Sequence, residues 1–311
     1  MDFLISGTHI NPFYLIGVGF IVGVLGGFFG VGGSFLAGPA LFGFGVPMNF
    51  VVGTDLAHIV GKSIVAARKH RTLGNIDLKL GGIMMIGTIA GVETGAQIIQ
   101  QLKRTAHIDV AVGISFIVVL LSISIFMALE SWKTLQMRRA DPQTAKRQSK
   151  RNSVKEDKSA FDHIARKIQS VGLPPHIRLP TSGIARISIW SIIGVAFVGG
   201  IFSGFLGGGA GYIRMPSMIY LLGIPTHIAV GTDLFEIIIS AGYGTFTHAI
   251  KGNVDILIAL VMHTGAAIGA QIGATLTQYF NGALIRLAFI PLPLIGAVII
   301  IHGLLIGHPT K

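Results

Sequence analysis

Gly26-Gly27-Phe28-Phe29-Gly30-Val31-Gly32-Gly33 interrupts one long apolar stretch, and Ser203-Gly204-Phe205-Leu206-Gly207-Gly208-Gly209-Ala210-Gly211 interrupts another. The same words follow each break in the same order. Gly45-Val46-Pro47 returns as Gly223-Ile224-Pro225, Gly53-Thr54-Asp55-Leu56 as Gly231-Thr232-Asp233-Leu234, His70 as His248, and Asn75-Ile76-Asp77 as Asn253-Val254-Asp255. Two homologous halves are fused in one chain. Duplicated, broken hydrophobic segments point to a membrane transporter.

Composition agrees with lipid as the solvent. Mean hydropathy is +0.71 and 12% of residues are charged, against about a quarter in soluble domains. No cysteine is present, which excludes a disulfide framework, a zinc-thiolate site and a thiol nucleophile. Met1-Asp2-Phe3-Leu4 lacks the basic stretch of a secretory signal, so the first apolar segment is expected to stay in the mature protein.

The net charge of +11 is concentrated. Between Trp132 and Arg186 thirteen Lys and Arg stand against Asp141, Glu156, Asp157 and Asp162, so that this stretch supplies nine of the eleven. A basic loop between hydrophobic blocks reads as a cytoplasmic linker beside membrane lipid, not as a nucleic acid surface. Within it Phe161, Ile164, Ala165, Ile168 and Val171 recur at helical spacing beside Lys158, Arg166 and Lys167, the pattern of an amphipathic helix. Pro174-Pro175 and Pro180 predict an extended connector after it.

Apolar runs cover 12–29, 31–45, 50–68, 80–101 and 107–130, then 187–206, 211–223, 227–249, 254–280 and 283–307. The expected fold is all-α and polytopic, with two repeats of about five segments each: residues 1–131, the linker 132–186, and residues 187–311. At about 1.5 Å per residue the second segment of each repeat falls well short of a hydrocarbon core of about 30 Å. Those segments therefore read as half-helices returning from the glycine break in a broken or re-entrant hairpin. An odd number of crossings per repeat would invert the second copy, whereas one full crossing per broken pair would leave the copies parallel.

The breaks carry the first candidate site. Gly30, Gly32, Gly33 and Ser34 in one repeat, and Ser203, Gly207, Gly208 and Gly209 in the other, precede a half-helix whose free N–H groups and dipole favour an anion. Close helix packing through small residues is the competing explanation. Arg214 lies three residues after Gly211 in an otherwise uncharged run and reads either as an anion counter-charge or as a snorkelling side chain. Its repeat partner is Ala37.

Thr54, Asp55, Thr232 and Asp233 read as N-caps or first-turn groups of the helices that follow, or as polar lining of the site. Asp77 and Asp255 read as loop–helix caps. Five titratable groups deeper in apolar segments are candidates for proton or ion coupling: His58 and Lys62, four positions apart on one helix face, Glu236 at the repeat position of His58, Glu93 and His263. Gln97 and Gln271 repeat in a Gly-Ala-Gln triplet. No nucleophile elbow, Walker loop, His-Glu-x-x-His or EF-hand spacing occurs, and no metal-ligand pattern, cofactor motif or catalytic constellation is legible.

The glycine break, Gly-x-Pro, Gly-Thr-Asp and Asn-x-Asp in each half resemble the TauE/SafE sulfite exporter family, also called the toluene sulfonate uptake permeases. The resemblance covers both membrane halves and leaves out the long linker. It implies a secondary transporter that exports small sulfur-containing anions, sulfite or organosulfonates, across the cell inner membrane by alternating access. An intramembrane enzyme built on His58, Glu236 or His263, and a membrane sensor or scaffold acting through the basic linker, are the alternatives. A homodimer is compatible with either class.

Overall fold

In a computed structural model, residues 1–104, 108–140, 162–170 and 172–306 are described. The first half of the chain comprises α1 (Pro12–Phe29), α2 (Ser34–Gly43), α3 (Met48–Thr72), α4 (Leu78–Leu102) and α5 (Ile108–Ala140). The second comprises α7 (Ile189–Leu206), α8 (Gly211–Ser217), α9 (Thr226–Ile250), α10 (Ile256–Leu276), α11 (Gly282–Phe289) and α12 (Pro291–Ile306). Between them lies α6 (Asp162–Gln169). Among the described residues seven helices are long and apolar enough to cross a membrane, which makes this a multi-pass, almost wholly helical membrane protein.

Local chemistry sets the helix ends. Asn11 accepts from Phe13 N–H with Pro12 at the first helical position, where the missing proline N–H costs nothing. Asp77 accepts from Leu80 N–H, and Asp255 accepts from the N–H groups of Leu257 and Ile258, so both are the caps their positions suggest. Gly-Thr-Asp behaves otherwise. Pro47 and Pro225 start α3 and α9, which places Asp55 and Asp233 about two turns inside the helices. They are interior residues, not caps.

Two further departures come from prolines and turns. The segment read as 283–307 divides into α11 and α12 at Pro291, and α8, with Pro216 inside, widens into a π-turn over Met218–Leu222. Each repeat also opens with a small antiparallel hairpin absent from the sequence reading. One pairs β1 (Asp2–Phe3) with β2 (Thr8–His9); the other pairs β3 (His176–Leu179) with β4 (Ile184–Ser188), where an extended connector is expected. The linker helix spans Asp162–Gln169; Phe161, Val171 and six of the thirteen linker Lys and Arg, Lys158 among them, lie outside the described residues.

The repeats are interlaced. Helix α1 packs along α10 and α4 packs along α7, through glycine seams so close that no Cβ fits. A Cβ on Gly19 or Gly23 would strike the carbonyl of Met262 or Ala266, and one on Gly87, Gly91 or Gly95 would strike that of Ile193, Phe197 or Ile201. Backbone contact of this kind is how transmembrane helices gain van der Waals attraction without a hydrophobic driving force.

The seams also fix direction. Residue numbers rise together along α1 and α10, and along α4 and α7, so each pair runs parallel. Gly61 meets His263, and Gly53 meets Val254, which sets α3 parallel to α10; Gly81 meets Phe235, and Gly244 meets Val92, which sets α4 parallel to α9. Gly53 abuts the carbonyl of Asn253, whereas Gly231 abuts that of Asn75, so α3 and α9 are antiparallel. Corresponding helices of the two repeats therefore run in opposite senses. Helix α2 turns back along α1, and its end returns to the first turn of that helix, where Phe44 stacks on Tyr14 at 6.3 Å.

Candidate functional site

The repeated words hold one half to the other. Thr54 Oγ1 accepts the backbone N–H of Asp255 at 2.9 Å, and Thr232 Oγ1 accepts that of Asp77 at 2.9 Å. Ser6 and Ser182, in the two β-hairpins, donate to the carboxylates of Asp255 and Asp77 at 2.8 and 2.7 Å. His70 Nε2 lies 3.1 Å from the Gly27 carbonyl and His248 Nε2 lies 2.9 Å from that of Gly204. Since a carbonyl only accepts, both rings carry hydrogen on Nε2. Glycine, threonine and Asn-x-Asp act as cross-braces between the halves, and each histidine ties its helix to the glycine break of its own half, which leaves the aspartate of each Gly-Thr-Asp for other work.

Those aspartates flank the two glycine breaks, and the breaks meet. Gly32 and Gly208 face each other so closely that a Cβ on Gly32 would sit 3.3 Å from the Gly208 carbonyl oxygen. The same Cβ would lie 3.5 Å from Ile59 on α3 and 3.4 Å from Ile237 on α9. The turns depend on left-handed glycines: φ is +76° at Gly30, +67° at Gly32, +74° at Gly33, +81° at Gly207, +71° at Gly208 and +70° at Gly209. L-residues adopt such angles only at a cost of about 1–2 kcal/mol. Ser34 is the first residue of α2, whose opening N–H groups have no intrahelical acceptor.

On the α9 side Arg214 is fully buried and does not snorkel. Its Nε donates to Asp233 Oδ1 at 2.5 Å and its Nη1 pairs with Glu236 Oε2, while Nη2 has no partner. Ser240, one turn further, donates to Glu236 Oε2 at 3.3 Å. Asp233 Oδ2 and Glu236 Oε1 are buried without a donor. One guanidinium thus serves two carboxylates.

On the α3 side the equivalent positions carry Asp55, His58 and Lys62. His58 Nδ1 lies 3.4 Å from Asp55 Oδ1. Lys62 is 2% exposed and its Nζ has no hydrogen-bond partner, nor do His58 Nε2, Asp55 Oδ2, Ser63 Oγ, Ser203 Oγ and the hydroxyl of Tyr212. His263 of α10 presses its ring against Gly61 beside this cluster. Buried polar groups are nearly always paired, so these atoms are the ones with hydrogen-bonding capacity to spare.

Glu93 stands apart. It is half-buried on α4 and bound by Lys251 at 3.3 Å, Tyr243 at 3.2 Å, Thr247 at 3.1 Å and Gln97 at 2.6 Å. Gln97 serves that cluster and Gln271 is exposed. Tyr212, Ser63 and Ser240 escaped the sequence reading. Tyr212 adjoins Gly211, and that adjacency was the signal available. A second buried charge cluster joins Glu130 of α5 to Arg286 of α11 at 4.0 Å and to Tyr220 at 3.0 Å, with Arg286 also donating to Thr226 at 2.7 Å.

A multi-pass helical chain whose sequence-matched helices run in opposite senses around a buried, charged centre has the architecture of a membrane transporter. The family model "Sulfite exporter TauE/SafE" matches residues 15–300, and the chain belongs to that family. Similar proteins include two probable membrane transporters of Bacillus subtilis (strain 168). YunE is 26% identical across 93% of this chain and 97% of its own length, and YjnA is 24% identical across 86% and 91%. A probable membrane transporter of Methanocaldococcus jannaschii, MJ0441, is 45% identical over 21% of this chain and 27% of its own. No solved structure shows a significant match.

Proposed function

We propose that the protein is a secondary transporter that exports small sulfur-containing anions, sulfite or organosulfonates, across the inner membrane by alternating access. The observation that carries this reading is the meeting of the two glycine breaks at Gly32 and Gly208, flanked by Arg214 on one side and Lys62 on the other. A tetrahedral or pyramidal oxyanion needs several donors converging from different directions. The N–H groups at the start of α2, the guanidinium of Arg214, the ammonium of Lys62, and the hydroxyls of Ser203, Ser63 and Tyr212 are the donors available there.

Opposed helix senses support treating residues 1–131 and 187–311 as inverted repeats with re-entrant glycine hairpins, joined by a cytoplasmic linker over 132–186. Inverted repeats of this kind open a shared centre to one side at a time. Because each seam joins the two repeats, the rigid units that rock would be α1 with α10 and α4 with α7, each drawn from both repeats. The test is flux of labelled sulfite and labelled methanesulfonate in proteoliposomes. Saturable flux that is lost in a folded Lys62→Met variant supports the reading; no flux of either anion overturns it.

A further inference from the structure

The charges at the centre do not balance. Arg214 and Lys62 are the buried Arg and Lys there, and Asp55, Asp233 and Glu236 the buried carboxylates, two against three. An incoming anion would add a second uncompensated negative charge to a water-poor interior, where even one costs several kcal/mol. It would also find Arg214 occupied. A planar guanidinium grips an oxyanion best with two parallel N–H groups, and of this one Nε and Nη1 are already committed to Asp233 and Glu236, with Nη2 left over.

Both obstacles have the same remedy. We propose that Arg214 couples the anion to a proton: a proton taken up by the Asp233–Glu236 pair releases the guanidinium, which then holds the anion, and the two cross together, outward whenever the anion's own outward gradient exceeds the opposing proton gradient. This rests on the transport reading above and names its coupling ion. Glu236 Oε1 and Asp233 Oδ2, both buried without a partner, are the landing places of the pair, and a proton on Glu236 Oε1 leaves the Ser240 hydrogen bond to Oε2 in place. With the proton bound, the centre is neutral before the anion arrives and carries a single negative charge after it, as the empty centre did. Binding is then reciprocal: the anion raises the site's affinity for the proton as much as the proton raises it for the anion.

The charged group in contact with this pair is Arg214 from α8; Tyr212 of α8 lies beside Asp55, and Asp55, His58 and Lys62 from α3 with His263 from α10 form the neighbouring cluster. His58 holds the repeat position of Glu236, and Lys62 that of Ser240. The α3 side therefore has its own cation in place, and the α9 side is the one that changes charge.

Methanesulfonate decides the matter, because its conjugate acid is too strong to bring a proton of its own. Wild-type protein in proteoliposomes with internal pyranine should acidify the lumen as labelled methanesulfonate enters, one proton for each anion. Steady-state accumulation should then follow an imposed pH gradient, about tenfold per unit, and ignore a valinomycin potential. An uncoupled monoanion would instead accumulate roughly fiftyfold across 100 mV. In Glu236→Gln the flux that remains should move without protons and respond to the potential. The proton-to-anion ratio is read independently of rate, and the wild-type ratio stands alone if the variant does not fold. Methanesulfonate flux that leaves pyranine unchanged and follows the potential overturns the coupling and leaves the transporter intact. Absence of flux for methanesulfonate and sulfite alike overturns the transporter reading itself.

Discussion

Thr54 is hydrogen-bonded to Asp255 across the boundary between the two repeats, its hydroxyl oxygen receiving the backbone N–H of that aspartate at 2.9 Å. The reciprocal bond joins Thr232 to Asp77. A threonine in the Gly-Thr-Asp motif is thereby spent on holding the partner repeat, and the adjoining aspartate is left facing the glycine breaks. Removing the hydroxyl strands a buried backbone donor, a loss of about 1–3 kcal/mol. Thr54→Val and Thr232→Val should each lower the melting temperature in detergent, and Thr→Ser at either position should restore it. A Thr54→Val protein of wild-type stability that no longer binds anion would assign the hydroxyl to the ligand instead.

The glycine seams give a sharper mechanical test. Gly91→Ala drives a methyl group into the carbonyl of Phe197, and overpacking of a close contact typically costs about 1–3 kcal/mol. Gly82 lies on the same helix, exposed, with nothing near its would-be Cβ. Gly82→Ala should be neutral or slightly stabilising. The difference between these two melting curves measures the seam; equal curves would remove α4 and α7 from direct backbone contact.

Arg214 allows a test of charge against shape. Breaking a buried ion pair by deleting one partner costs about 3–5 kcal/mol, because the other charge is left uncompensated, whereas replacing every member by neutral groups is often harmless. Arg214→Met alone should yield little folded protein. The triple change Arg214→Met, Asp233→Asn, Glu236→Gln should recover folding, as judged by size-exclusion and thermal melting, while flux stays lost. If the triple variant is no better than the single one, the cluster contributes shape and hydrogen bonds more than charge balance.

The linker helix bears on the hairpin that carries Arg214. Gln169 donates to the Leu222 carbonyl at 2.8 Å, and a Cβ on Gly223 would meet Gln169 Nε2 at 2.7 Å and Ala165 at 3.2 Å. Gly223 also has φ +76°. Gly223→Val should push α6 off this end of the hairpin, raising hydrogen exchange over 162–170 while the amides of α10 stay protected. Unchanged exchange over 162–170 would mean that α6 is held elsewhere.

Much of this architecture is legible in the amino acids, for a physical reason. A duplication writes each structural demand twice, so Gly53 with Gly231 and His70 with His248 stand out from apolar background, and a glycine-rich break between hydrophobic runs has few folded meanings. Pairing across the repeats is another matter. Nothing local in Gly91 names Phe197 as its neighbour, because a seam is specified jointly by two distant surfaces. The reading of Gly-Thr-Asp as a helix start fails because Pro47 and Pro225 set the start first, and propensity for a cap yields to a fixed φ. Arg214 is conspicuous as an intramembrane charge, but its two carboxylates lie 19 and 22 residues away on the next helix, and only the fold brings them to it. The β-hairpins are too short to impose an alternating pattern.

Helix α1 is made before the linker, and α10, which fits its glycine face, after it. A ribosome-bound chain must therefore carry two bare glycine faces in the bilayer, on α1 and α4, until the later half arrives to cover them. Assembly cannot finish in two independent stages, and a chain cut within the linker should give halves that reach maturity only when both are made in the same cell.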